Sequence, residues 1–220
     1  MRVAFAILVI AFSAPAASLT GTIVDSLGAS IAHAAVELDS GTRKYQAWTD
    51  ESGVYKLSSL PAGEYTLTIT PEVYEGLTVK SIGLSEGEAK QIPEITLNLY
   101  LCPFPPHRDF MKLVPSVSFG ELSGSVLPAA PGIEVFLICR TFHVCSSTKT
   151  DSNGHFSFDT LSAGVYGLSF HRDGFYDRDA TGYEYYVNAG WESVYAPVML
   201  ELCADGNCKA KIQRILPHCE

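Results

Sequence analysis

No cysteine occurs before residue 102 in this 220-residue chain, so the first half folds without a disulfide. After residue 12 no apolar run approaches the ~20 residues that a membrane-spanning helix needs. Charge is sparse and one-sided, with 15 Lys and Arg against 24 Asp and Glu and no basic run. Residues 18–98 hold 5 basic and 11 acidic side chains, and residues 99–220 hold 9 and 13. That balance repels a duplex or an anionic bilayer and argues against a nucleic-acid partner. Catalytic signatures are missing as well: there is no G-x-S-x-G, no H-E-x-x-H and no phosphate loop. His171-Arg172-Asp173 spells part of a kinase catalytic loop, but no glycine-rich loop or D-F-G accompanies it. The chain reads as a non-enzyme with no cofactor. Helical periodicity is absent too, which leaves strands.

What is present is said twice. Residues 48–69 read WTDESGVYKLSSLPAGEYTLTI and residues 149–170 read KTDSNGHFSFDTLSAGVYGLSF. Asp50, Gly53, Tyr55, Leu60, Gly63 and Tyr65 align with Asp151, Gly154, Phe156, Leu161, Gly164 and Tyr166 at a constant offset. A period of about a hundred residues is too long for a solenoid unit. It implies two whole domains of one fold, each with its own core. Tyr65-Thr66-Leu67-Thr68-Ile69 alternates with the period of a half-buried strand. Gly, Asp and Ser clusters punctuate such runs, as turns require. About seven short strands per half predict two tandem seven-stranded antiparallel β-sandwich domains.

The ends and the middle carry other signals. Met1-Arg2, the apolar run Val3 to Phe12 and Ser13-Ala14-Pro15-Ala16-Ala17 have the form of an export leader, with cleavage after Ala16 or Ala17. Pro103, Pro105 and Pro106 forbid a sheet interior and favour an extended spacer. The expected layout is a leader over 1–17, a first sandwich over 18–99, a proline-rich linker over 100–116, a second sandwich over 117–202 and a cysteine-bearing tail over 203–220. The expected location is secreted, periplasmic or on the cell surface, and the expected partner is a glycan or a protein there.

Six cysteines in an exported chain point to disulfides. Cys139 and Cys145 face each other if the hairpin between them is kept. Cys203 and Cys208 flank Asp205-Gly206, a tight-turn signal, and are expected to pair. Cys102 and Cys219 remain, although Cys208–Cys219 with Cys102–Cys203 is an open alternative. Zinc on Cys203, Cys208, His218 and Cys219 is the weaker competitor, because exported thiols oxidise. Asp173, Asp177 and Asp179 form an acidic loop that leaves calcium open.

The signature Gly21-Thr22-Ile23-Val24-Asp25, Thr49-Asp50-Glu51-Ser52-Gly53-Val54-Tyr55 and Leu60-Pro61-Ala62-Gly63-Glu64-Tyr65 resembles the carboxypeptidase regulatory-like domain. The second copy keeps Thr150-Asp151-Ser152-Asn153-Gly154 and Leu161-Ser162-Ala163-Gly164-Val165-Tyr166, with Ser162 in place of proline. The resemblance implies a transthyretin-like (prealbumin-like) sandwich and a non-catalytic accessory or surface module. Related sandwiches include carbohydrate-binding ones and hydroxyisourate hydrolases, but the C-terminal Tyr-Arg-Gly-Ser of those hydrolases is absent. The candidate ligand-binding residues are aromatic: Tyr176, Tyr183, Tyr185, Tyr186 and Trp191, with Phe175 and Tyr195 nearby. Such rings stack on sugars or anchor protein interfaces, or else fill the core.

Overall fold

The computed structural model describes residues 15–99, 108–140, 143–175, 178–179 and 185–203. Every regular element among them is a strand. The first half runs β1 (Ala17–Asp25), β2 (Ala35–Asp39), β3 (Lys44–Trp48), β4 (Val54–Leu60), β5 (Gly63–Thr70), β6 (Leu77–Leu84), β7 (Ala89–Gln91) and β8 (Ile95–Leu97). β9 (Arg108–Leu113) follows. The second half runs β10 (Gly120–Leu127), β11 (Glu134–Ile138), β12 (Val144–Lys149), β13 (His155–Leu161), β14 (Gly164–His171), β15 (Arg178–Asp179), β16 (Tyr185–Val187), β17 (Trp191–Tyr195) and β18 (Val198–Met199).

In the first half β1 pairs antiparallel with β4 and parallel with β7 and β8. A second layer has the order β6-β5-β2-β3. Leu19 and Ile23 of β1 bury against Val36, Leu38, Leu67 and Ile69 of that layer. β7 and β8 follow one another along β1 and are separated at Pro93. Pro93 has no N–H to donate, and the pairing offset against β1 steps by one residue around it. The second half pairs in the same pattern, with β13-β10-β17 on one side and β12-β11-β14-β15 on the other. Its last two strands, β17 and β18, are likewise separated at a proline, Pro197.

The recurring turn is built the same way in both halves. Asp50 Oδ1 accepts N–H bonds from Ser52 and Val54, at 2.8 and 3.0 Å. Asp151 Oδ1 does the same for Asn153 and His155, at 2.8 and 2.9 Å. Those amide bonds, that of His155 foremost, hold the Asp151 carboxyl below its ordinary range. Gly53 and Gly154 have φ of 72° and 77°. Their carbonyls accept from Ile23 and Val126, tying the turn to β1 and β10. A Cβ would stand 2.4 Å from the Ile23 carbonyl oxygen at Gly53 and 2.6 Å from that of Val126 at Gly154. The threonine before each aspartate is buried: Thr49 Oγ1 accepts from Ala34 N–H, and Thr150 Oγ1 from Ile133 N–H. A Cβ on Gly21 would meet the ring of Tyr55, and one on Gly124 the ring of Phe156.

The segment expected to be a linker departs most from expectation. Past its prolines, Arg108–Leu113 is a strand. β9 pairs parallel with β6 of the first half and antiparallel with β17 of the second. The result is one nine-stranded sheet, β13-β10-β17-β9-β6-β5-β2-β3, with β18 beside β10. Arg108 begins β9 and is 2% exposed, against 8% for its partner Glu75. Its Nη2 bonds Glu75 Oε1 at 2.5 Å and the Thr96 carbonyl at 3.0 Å. Asn98 Nδ2 donates to the same carboxylate at 3.0 Å. The halves do not keep separate cores either: Met111 of β9 and Trp191 of β17 are buried in the core of the first half. A fully buried indole removes more apolar surface from water than any other side chain here, so the first core is closed from the far end of the chain.

Three outcomes follow. Gly154→Val destabilises by about 2–4 kcal/mol, from left-handed strain plus the backbone collision; chemical denaturation measures it, and a cost near zero refutes the turn account. Tyr55→Phe stabilises by about 1 kcal/mol, because the Tyr55 hydroxyl is buried without a hydrogen-bond partner among the described residues and the matching position is already Phe156. Burial raises the Tyr55 phenol and pushes that of Tyr195 up to about 12. Unfolded phenols ionise near about 10. Both phenols are therefore neutral in the fold below that pH, and stability falls as pH rises from there through their folded values. Tyr55→Phe flattens this alkaline loss in a urea titration. Finally, Trp191→Ala costs about 3–5 kcal/mol and lowers amide protection in β1, β6 and β8; hydrogen exchange that changes only in residues 117–202 contradicts the shared core.

Candidate functional site

The aromatic residues singled out from the second half divide between core and surface. Trp191 is 0% exposed, and its Nε1 donates to the Glu94 carbonyl at 3.1 Å. Tyr185 is buried in the second core, its ring edge-on to Tyr195 at 4.9 Å. Neither stands on an exposed platform. The reason is strand alternation: Tyr185 and Val187 point inward, which leaves Tyr186 half-buried on the opposite face. Tyr195 is buried beside them, its hydroxyl accepting from Tyr186 N–H at 2.7 Å and donating to the Tyr186 carbonyl at 3.0 Å. Tyr176 and Tyr183 lie outside the described residues, as does Asp177 of the acidic loop.

Among the cysteines, Cys139 and Cys145 are disulfide-bonded with Cα atoms 5.8 Å apart. They flank the β11–β12 hairpin, where Cys139 N–H also donates to the His143 carbonyl at 3.0 Å. Cys102, Cys208 and Cys219 lie outside the described residues, and with them the pairings proposed for Cys203. No described cysteine is free, and no group of three or more His, Cys, Asp or Glu among the described residues is placed to hold a metal.

Two concavities among the described residues bear on the site. One, of about 440 Å³, lies where the halves meet, between Pro93, Glu94 and Thr96 on one side and Val117, Tyr186 and Asn188 on the other. Asn188 Nδ2 bonds Thr96 Oγ1 across it at 2.8 Å, and a Cβ on Gly190 would strike Pro93. This is the packing seam of the two halves.

The other lies on the outer face of the first half, about 260 Å³ in volume, on β3, β2 and β5. Register builds it in rows. Ala35 pairs with Trp48 on one side and Thr70 on the other, and Glu37 with Gln46 and Thr68. Trp48 is 67% exposed. Beside it Glu37 is held by two donors: Lys44 Nζ on Oε1 at 2.6 Å and Gln46 Nε2 on Oε2 at 3.0 Å. The Lys44 bond, then the Gln46 bond, lowers the Glu37 carboxyl below its ordinary range, and Lys44 is raised in return. The face thus offers one bare aromatic plane, a fixed carboxylate, an amide and two threonine hydroxyls. The sequence reading passed over Trp48 because it stood alone, while the rings of the second half came in a cluster. The available signal was its place at the outward phase of β3, beside Gln46 and Lys44.

Comparison with known proteins places the first half. Among curated proteins no match was found. Solved structures give distant likenesses: the Bacillus anthracis TIE protein at 17% identity and TM-score 0.35, covering 86% of this chain and 34% of that one; a streptococcal ancillary pilin at 11% and 0.31, covering 82% and 62%; and BcpA, the major pilin subunit of Bacillus cereus, at 12% and 0.31, covering 87% and 100%. The chain therefore spans about a third of the first of these proteins and under two thirds of the second. The family match is confined to one stretch of the chain: residues 18–98 match the carboxypeptidase regulatory-like domain.

Proposed function

We propose that this chain is an exported, non-catalytic binding and scaffolding protein of the cell surface, in which two carboxypeptidase regulatory-like sandwiches form one stiff unit. The observation that carries the reading is β9, hydrogen-bonded on both edges, to β6 and to β17. A flexible linker suits a tether; a shared strand, a shared core and a buried ion pair suit a spacer that holds its faces at a set distance and angle. Assigning the second half to the same family rests on matched registers. Leu19, Thr20 and Gly21 face Leu57, Lys56 and Tyr55, and Leu122, Ser123 and Gly124 face Phe158, Ser157 and Phe156. Both pairings have a register shift at the same place, beside Ser59 and Thr160 at φ 60° and 58°.

Export is supported by the Cys139–Cys145 bridge, which belongs in an oxidising compartment. Ala17 is the first residue of β1 and is buried opposite Leu60, so leader removal after Ala16 keeps the strand whole. The partner is a protein or glycan of that surface. With a net charge of −9, a polyanion is the poorer fit.

Expression with its own leader in a secretion-competent host tests the reading. The expected product is outside the cytoplasm, begins at Ala17 and carries Cys139 bridged to Cys145. Its small-angle scattering fits a single arrangement of the two halves. Glu75→Ala strands the Arg108 guanidinium, costs about 3–5 kcal/mol and broadens the scattering ensemble. An unprocessed cytoplasmic product, or wild-type scattering that demands many hinge angles, refutes it.

A further inference from the structure

We propose that the outer face of β3-β2-β5 is a binding site for a neutral saccharide, with Trp48 as the stacking platform and Glu37 and Gln46 as the hydroxyl-binding groups. The internal comparison between the two halves is the starting point. The position that matches Trp48 is Lys149, which pairs with Glu134 and is bridged to it at 3.2 Å. The fold is therefore content with an ordinary solvated ion pair there, and the indole is not a structural requirement. An indole left 67% exposed keeps a large apolar plane in water, and here that plane borders a concavity lined by hydrogen-bonding side chains.

The surroundings say which ligand. A protein hot spot is an apolar anchor ringed by further contacts that exclude water. Besides Trp48, the described residues that line the concavity are Ala35, Val36, Glu37, Gln46, Ala47, Thr68 and Thr70; Val36 is buried, so Trp48 is the exposed large apolar side chain of that lining. One flat apolar plane bordered at once by hydrogen-bonding groups matches a pyranose, which presents C–H groups on its face and hydroxyls around its rim. Each Glu37 oxygen uses one acceptor site on its present donor and has another left. The Gln46 amide carries both a donor and an acceptor. Lys44 and Gln46 hold the carboxylate in place before any ligand arrives, so little ordering is required on binding. The volume of about 260 Å³ is below that of a cleft for a drug-sized ligand and fits a short stretch of sugar. Because β3 is the free end of its sheet, a longer chain can run on past the edge. The carboxylates of Glu37 and Asp39, against the single ammonium of Lys44, repel a uronic or sialic acid; a neutral sugar meets no such penalty.

The two tryptophans make the test direct, because Trp191 is buried and Trp48 is not. The mature protein is titrated with cello-, malto-, xylo- and chito-hexaose, with polygalacturonate and sialyllactose as anionic comparators, while tryptophan emission is followed. At least one neutral oligosaccharide is expected to shift the Trp48 emission with Kd of about 0.1–1 mM. Trp48→Ala weakens it at least about tenfold with an unchanged thermal melt, Trp48→Phe retains most of it, and Glu37→Gln narrows the preference over the anionic sugars. Absence of response to every neutral probe, stronger binding of the anionic ones, or binding that survives Trp48→Ala overturns the proposal. A protein-concentration dependence of Trp48 emission without sugar, lost in Trp48→Ala, overturns it in favour of a second copy on this face.

Discussion

The pairing of β9 with two partners at once is the constraint on which the rest of the structure depends. A sandwich sheet ends in edges, and an edge is a row of unmet N–H and C=O groups. β6 and β17 are such edges in their own halves, and six residues between them satisfy both. Once that strand is placed, the angle between the halves is no longer free. Trp191, opposite Leu113 at the end of the β9–β17 ladder, is delivered to the core of the first half. Arg108, at the other end of β9, reaches Glu75 and the Thr96 carbonyl. Burying that charge is tolerable because Glu75, Thr96 and Met111 receive its two terminal nitrogens, although Arg108 Nε has no partner among the described residues. The ion pair thus fixes the start of β9 against the first half.

The inner architecture of each half comes from local rules applied twice. An aspartate collects the amides of a tight turn, a glycine takes the left-handed position against a neighbouring carbonyl, and a threonine hydroxyl closes the strand before it. Even the substitution of Ser162 for Pro61 changes little, because what the turn uses there is a main-chain carbonyl. Tyr65 and Tyr166 hydroxyls donate to it at 2.7 and 2.9 Å. The halves differ in their cores, where Phe156, Phe158 and Phe170 stand for Tyr55, Leu57 and Ile69, and on their surfaces. Trp48 faces Ala35 in one and Lys149 faces Glu134 in the other. Trp48 lies at the β3 end of the fused sheet, whereas Lys149 and Glu134 belong to the separate sheet β12-β11-β14-β15. Near the middle of the fused sheet Lys80 stands over the Phe110 ring at 4.0 Å.

Strand content, turn chemistry and the Cys139–Cys145 neighbourhood were legible in the sequence, because each rests on residues close together in the chain. Alternation, Asp-x-x-Gly spacing and a six-residue cysteine separation need no knowledge of distant partners. What the tertiary structure alone decided were matters of side and neighbour. Arg108–Leu113 has strand alternation, but three prolines just before it read as spacer, and nothing local reveals two open edges waiting on either side. The cluster around Trp191 has the composition of a binding platform, and composition does not say that its indole will be buried in the other half. Trp48 has the composition of any core tryptophan, and only the outward phase of β3, set by its pairing with β2, leaves it in water. Burial is a property of pairs of elements far apart in sequence: docking through β9 buries Trp191, and the pairing of β3 with β2 leaves Trp48 exposed.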